Sequence, residues 1–288
     1  MPRLSDQYLI LALQKAGMLH SRLTVSMNLR RVQTALHHVG RAPEVLASLR
    51  ALKNATQVAS AYIGLRPLQL PCTVEFRDGI RYRLEEYYDL ETLWQINFHG
   101  SYPIEPSDQV ILDAGANVGL FTCWAAQRNP KASIIAIEPF PRNLERLQEH
   151  VRENGFSSRV EVVGAALSAT AGTARLSTSA EASQMFRLTS EKADNAVEVP
   201  TVTLVDIVKN RQIDWMKMDI EGSEYEVLLN TPEATFSRIR RISLEYHKPN
   251  PGTSADKKDV LTYLKSCGYT SIRDCAPGAE YGMVHFAR

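Results

Sequence analysis

A chain of 288 residues, 44 % apolar and 23 % charged, has material for one large core plus an appendage and the composition of an ordinary soluble globular protein. Its four cysteines (Cys72, Cys123, Cys267, Cys275) include no C-x-x-C pair, which argues against a zinc site or a disulfide framework and for a reducing, cytoplasmic compartment. No apolar run approaches the roughly 18 residues of a membrane span, and the N-terminus lacks the charged start and apolar stretch of a signal peptide.

The net charge of +1 hides an asymmetry: residues 1–66 carry nine Lys/Arg against two acids, Asp6 and Glu44. Residues 5–65 read as helices. Tyr8, Leu9, Leu11, Leu13 and Leu19 suggest one, and Leu29, Val32, Leu36 and Val39 a second, ended by Gly40. A third is predicted from Pro43 towards Ile63, with Gly64 and Pro67 as stop signals. The basic residues are a solvated face, a peripheral contact with an anionic membrane surface, or a contact with an acidic substrate. Nucleic acid is disfavoured, because the arm has few aromatics for base stacking.

From Pro71 the pattern changes. Thr73 to Leu84 alternates on both sides of Asp78-Gly79, a hairpin signal. Tyr87, Tyr88, Trp94 and Phe98 follow, to line a pocket or to pack the hairpin on the body.

Val110 to Leu112 has the length and branching of a buried parallel strand. Asp113 ends it, a turn with Gly115, Asn117 and Gly119 follows, and Leu120 to Ala126 has helical spacing, with Cys123 on its apolar face. Strand, glycine turn and helix form the first unit of a nucleotide-binding α/β fold; glycine serves positive φ or close approach to a ligand. The pattern is G-x-N-x-G rather than the G-x-G-x-x-G of dinucleotide sites. Asp113 is expected to face whatever lies over the turn. A carboxylate there repels a pyrophosphate and attracts an ammonium, favouring S-adenosylmethionine over NAD.

Ala132 to Glu138 is a second strand ending in an acid, one crossover after Asp113. A carboxylate at that strand end accepts hydrogen bonds from ribose hydroxyls. Asn143 to Val151 is a helix, Val160 to Leu167 a third strand, and the polar stretch 179–196 a loop. Val199 to Val208 turns from strand into short helix. Trp215 to Met218 is a strand that delivers Lys217, Asp219 and Glu221 at alternate positions, on one side of an extended chain. Arg241 to His247 repeats the logic with Glu245 and His247. A helix from Asp256 to Cys267 and two closing antiparallel strands, Tyr269–Arg273 and Met283–Phe286, with a turn at Pro277-Gly278, complete the chain.

Leu112 to Gly119, Ile137-Glu-Pro139 with Pro141 and Asn143, Thr203 to Asp206, Lys217 to Glu224 and Glu245 to His247 together resemble the FkbM-like family of S-adenosylmethionine-dependent methyltransferases. The resemblance spans residues 110–247. It implies a class I, Rossmann-like, seven-stranded and mostly parallel α/β sheet, and O-methylation of a sugar, glycan or natural-product hydroxyl. Outside the resemblance, the pattern of the chain makes residues 1–66 a helical appendage and 67–104 a hairpin and aromatic segment packed on the body, with 105–288 the methyltransferase domain. On the family reading Asp113, Gly115, Asn117 and Gly119 hold the methionine portion and Glu138 the ribose. The turn around Ala166 flanks the adenine, and Asp219 lies near the sulfonium. Lys217, Asp219, Glu221, Glu245 and His247 are the catalytic candidates, His247 having the best unperturbed pKa for a general base. Mg²⁺ is compatible with so many carboxylates, but their spacing does not demand it, and no metal ligand is assigned. The alternatives are a Rossmann-type NAD or nucleotide-sugar enzyme and a non-catalytic binding protein that kept the pocket.

Overall fold

The structure is a computed structural model that describes residues 41–178, 186–189, 196–250, 253–275 and 281–288. The two helices expected before Gly40 and the Pro277-Gly278 turn lie outside the described residues, as do 179–185 and 190–195 of the expected 179–196 loop, whereas its residues Phe186–Thr189 form a strand rather than loop.

The helix expected from Pro43 to Ile63 is two helices, α1 (Ala42–Ala51) and α2 (Ala55–Tyr62). Leu52 breaks it: its backbone is extended and bridges to Phe76, while the Lys53 amide donates to the Glu75 carbonyl. The hairpin forms as expected, β1 (Cys72–Glu75) antiparallel to β2 (Arg81–Leu84). The aromatic segment after it is a helix, α3 (Tyr87–Phe98), whose Asp89 carboxylate accepts from the Glu85 and Glu86 amides at 2.7 and 3.0 Å. That bond satisfies donors a helix N-terminus otherwise leaves open.

The body alternates β3 (Val110–Ala114), α4 (Leu120–Arg128), β4 (Ser133–Ile137), α5 (Pro141–Glu153) and β5 (Val160–Val163). Later come α6 (Leu204–Val208), β10 (Ile213–Met218), α7 (Glu224–Leu229), α8 (Glu233–Phe236), β11 (Ile239–Tyr246), α9 (Lys257–Ser266), β12 (Thr270–Asp274) and β13 (Gly282–Ala287). The main sheet has seven strands in the order β12-β13-β11-β10-β3-β4-β5. Strands β11 to β5 are parallel, and β13 and β12 close the edge antiparallel. This is the class I methyltransferase α/β architecture the sequence led us to expect.

The body departs from expectation after β5. The strand predicted from Val160 to Leu167 breaks at Gly164, and its second half, β6 (Ala166–Leu167), joins a separate four-stranded sheet, β6-β9-β7-β8. Its other strands are β7 (Gly172–Thr178), β8 (Phe186–Thr189) and β9 (Ala196–Val202).

Successive residues of the parallel strands point to opposite faces, so each strand feeds two cores. Ile111, Ile134 and Trp215 pack on one side with Phe121, Trp94, Tyr82, Phe76, Leu52 and Val58; Leu112, Ile135 and Met216 pack on the other with Leu228, Phe236 and Leu264. Residues on both sides of 66/67 and 104/105 thus share one buried core. Helices α1 and α2, the described part of the expected N-terminal appendage, contribute to that core. Among the described residues no helix is long and apolar enough to cross a membrane.

Candidate active site

A cleft opens at the carboxyl ends of β3, β4 and β10, where ligands of parallel sheets bind. Its floor is the glycine turn (Gly115, Ala116, Asn117, Val118), with Glu138 on one side and Lys217, Asp219 and Glu221 on the other. Ala166, Leu167 and Leu176 supply an apolar wall, and Tyr88, Thr92 and Ile96 of α3 reach in from above.

The turn is held rigidly. Gly115 and Ala116 donate to the Ile137 carbonyl at 3.0 and 2.9 Å, and Gly119 donates to Ala116 at 2.8 Å. The Asn117 amide donates to Glu138 Oε2 at 2.8 Å, and the Phe140 amide to Glu138 Oε1 at 3.0 Å. Four amides of the turn are therefore engaged inside the protein, which leaves little for a pyrophosphate. The side-chain oxygen of Asn117, whose φ is 50°, is buried with no hydrogen-bond donor among the described residues. Burial raises the Glu138 carboxyl to about 7, against the two amide bonds that favour its charged form.

Both glycines serve the protein more than a ligand. A Cβ on Gly115 would lie 1.7 Å from the Asp219 carbonyl oxygen, and one on Gly119 would lie 2.6 Å from Leu147 Cδ1. Gly115 lets the chain after β10 cross the turn in contact with it; Gly119 lets α5 pack against α4.

Asp113 is not where the sequence reading put it. It is fully buried, outside the cleft lining, with Oδ2 accepting from Thr122 Oγ1 at 2.5 Å and Oδ1 3.3 Å from Lys217 Nζ. The cause is register: Asp113 and Lys217 are direct partners across parallel β3 and β10, so the charges pair with each other beneath the turn. Lys217 also donates to the Gly115 carbonyl at 2.7 Å and lies 3.5 Å from Asp219 Oδ2. Burial works against the ammonium, but Asp113, with Asp219 and Glu245, outweighs it and holds Lys217 protonated above the ordinary range. For Asp113, burial outweighs Lys217 and Thr122 and raises its carboxyl. The carboxylate that does face the cleft at this level is Asp219.

A second group stands beside the cleft. Glu221, at φ 54°, turns back so that its Oε2 is 3.9 Å from His247 Nε2, and Asp219 Oδ1 lies 3.9 Å from the same nitrogen. His247 Nδ1 is 3.0 Å from Glu224 Oε1. Glu224 is a site residue that the sequence reading passed over as the start of a helix: it is buried and accepts the Ile220 and Gly222 amides at 3.0 and 2.8 Å. Burial disfavours the imidazolium, but the bond to Glu224 and the charges of Asp219 and Glu221 push His247 up to about 10. With no cation present this arrangement favours the imidazolium over the neutral imidazole that the sequence reading expected of a general base. Glu245, the last residue but one of β11, is raised to about 8 by burial and then by Asp219, against His247 and Lys217.

The structure thus joins Lys217, Asp219, Glu221, Glu245 and His247 into one continuous polar group and brings Gly115, Asn117, Glu138 and Ala166 to the cleft. Asp113 and Gly119 lie behind it. The contribution of α3 had a signal in the sequence: Leu90, Leu93 and Trp94 at helical spacing behind Glu86 and Asp89.

Residues 113–271 match the family described as the methyltransferase FkbM domain. Methyltransferase sdnD of Sordaria araneosa is 28 % identical over 214 residues, covering 62 % of this chain and 81 % of its own length. The 31-O-demethyl-FK506 methyltransferase FkbM of Streptomyces tacrolimicus is 25 % identical over 217 residues, covering 63 % and 81 %. Among solved structures, TrmK of M. capricolum in complex with S-adenosyl-homocysteine is 12 % identical and superposes with a TM-score of 0.41 over 68 % of this chain and 67 % of its own.

Proposed function

This chain belongs to the FkbM methyltransferase family, and we propose that it methylates a hydroxyl of a sugar, glycan or natural product at the expense of S-adenosylmethionine. The observation that carries the reading is the chemistry of the glycine turn. Four of its amides are engaged, which leaves little to cradle a dinucleotide's phosphates. Asn117, Asp219 and Glu138 line the cleft with side chains that carry acceptor oxygens. Those acceptors suit an ammonium and a ribose diol. The apolar wall of Ala166, Leu167 and Leu176 suits an adenine ring. The name of the Streptomyces relative supports an oxygen acceptor.

S-adenosylmethionine, when bound, supplies an electrophilic methyl group on a sulfonium centre. The protein's part is alignment, exclusion of water and removal of the hydroxyl proton. Tyr88, Thr92 and Ile96 cover the cleft. The carboxylates at the ends of β10 and β11 provide the proton acceptor, while Lys217 offsets the charges of Asp113 and Asp219. The four thiols are all free, and we place the reaction in the cytoplasm.

The test is calorimetric titration of the EDTA-treated protein with S-adenosylhomocysteine and, separately, with NADH. Micromolar binding of the first alone is the expected result. NADH binding without S-adenosylhomocysteine binding overturns the reading in favour of a dinucleotide enzyme.

A further inference from the structure

We propose that Asp219, Glu221 and His247 form a divalent-cation site beside the cofactor cleft, of the kind that takes Mn²⁺ in preference to Mg²⁺. Each residue offers one donor atom, and the three lie within 4.8 Å of one another. The His247 Nε2 distances to Asp219 Oδ1 and Glu221 Oε2, both 3.9 Å, are too long for hydrogen bonds. Donors bound to one ion at about 2.1 Å stand up to about 4.2 Å apart, so both His247 distances are compatible with a shared metal, the ion displacing the Nε2 proton.

The surroundings favour that use. Asp219 divides its two oxygens, Oδ2 towards Lys217 and Oδ1 towards His247, so the lysine does not occupy the space between the three donors. His247 is oriented from behind by Glu224, which is itself fixed by two backbone amides. A carboxylate on the far nitrogen of an imidazole is the usual support of a metal-bound histidine, setting both tautomer and ring direction.

Ligand type sets the choice of ion. One imidazole with two carboxylates suits Mn²⁺ and its transition-metal neighbours, whereas Mg²⁺ keeps to oxygen. Three protein donors leave positions open on the ion, and Asp219 also lines the cleft. An acceptor hydroxyl bound there would lose its proton more readily. This role rests on the methyl-transfer reading, but the site itself does not.

The experiment uses the full chain stripped with EDTA, titrated with Mn²⁺ while the paramagnetic resonance of free Mn²⁺ is followed. One Mn²⁺ per chain is expected, with Mg²⁺ binding weaker by about tenfold or more. Glu221→Gln and His247→Gln should each weaken Mn²⁺ by about tenfold or more. Should either variant fail to fold, substoichiometric Mn²⁺ added to the unaltered protein should selectively broaden the His247 ring signals among its seven histidines. Absence of stoichiometric Mn²⁺ binding, equal affinity for Mg²⁺, or folded variants that bind Mn²⁺ normally overturns the site. S-adenosylhomocysteine titrated into the same stripped protein separates the two claims. Binding of S-adenosylhomocysteine without Mn²⁺ refutes the cation site alone, and Mn²⁺ binding without S-adenosylhomocysteine refutes the methyltransferase reading alone.

Discussion

Raising the pH from 6 to 8 should tighten S-adenosylhomocysteine binding about tenfold through Glu138. Burial holds this carboxyl at about 7 in the free protein, although the Asn117 and Phe140 amides already point at its oxygens. A ribose diol donating to the same oxygens favours the charged form, so binding costs the release of a proton wherever the group starts protonated. At pH 6 about one chain in eleven is ionised there, and at pH 8 about ten in eleven. The ratio is close to ten, or about 1.4 kcal/mol of apparent affinity. Calorimetry across that range, in buffers of different ionisation enthalpy, reads both the affinity and the proton released. Glu138→Gln keeps an acceptor oxygen for one of the two amides, turns its NH2 towards the other, and has nothing to titrate. It should bind more weakly at pH 8, with no pH dependence from this position. Affinity in the unaltered protein that is flat or falls from pH 6 to 8 refutes the reasoning, as does an equal slope in the variant.

Three further predictions concern stability. Gly115→Ala places a Cβ 1.7 Å from a backbone oxygen at φ 82° and should cost about 3–5 kcal/mol in denaturant unfolding, whereas an unchanged midpoint would show that the Asp219 crossing can move. Lys217→Met leaves the Asp113 carboxylate buried without its cation and should cost about 3–5 kcal/mol at neutral pH; adding Asp113→Asn should recover part of that, and a double variant no more stable than the single would refute the pairing. Leu52→Ala removes a fully buried side chain from the core that joins α1 and α2 to the body, with an expected cost of about 2–5 kcal/mol. A loss below about 1 kcal/mol would show that residues 42–62 separate from the body after all.

The sequence makes legible what depends on local pattern. Val110 to Gly119 announces strand, turn and helix, and the two acidic strand ends at Asp219 and Glu245 announce where polar groups gather. Asp113 shows where that reading stops. Its partner, Lys217, lies 104 residues away, and the parallel register that sets them side by side leaves no trace in either strand alone. Glycine is ambiguous for a similar reason: Gly115 signals a close approach, but the approaching group is the protein's own backbone. His247 has an ordinary imidazole pKa until Glu224, Asp219 and Glu221 surround it, and those three come together only because Glu221 and Gly222 turn the chain back at positive φ. The break at Leu52 is likewise decided elsewhere, by the edge residue Phe76 that its backbone bridges.

The crossing of Gly115 by Asp219 has a consequence for how acceptor choice can vary. The Asp219 amide donates to the Ala114 carbonyl, Lys217 donates to the Gly115 carbonyl, and no side chain can be inserted between the two segments. Donor half and acceptor half are therefore welded at the floor, and any change that shifts one drags the other out of line for transfer. The roof is free of that constraint. Tyr88, Thr92 and Ile96 reach the cleft from α3, which the floor does not weld in place. Enlarging or shrinking those three side chains offers a way to change which acceptor fits while the floor stays as it is.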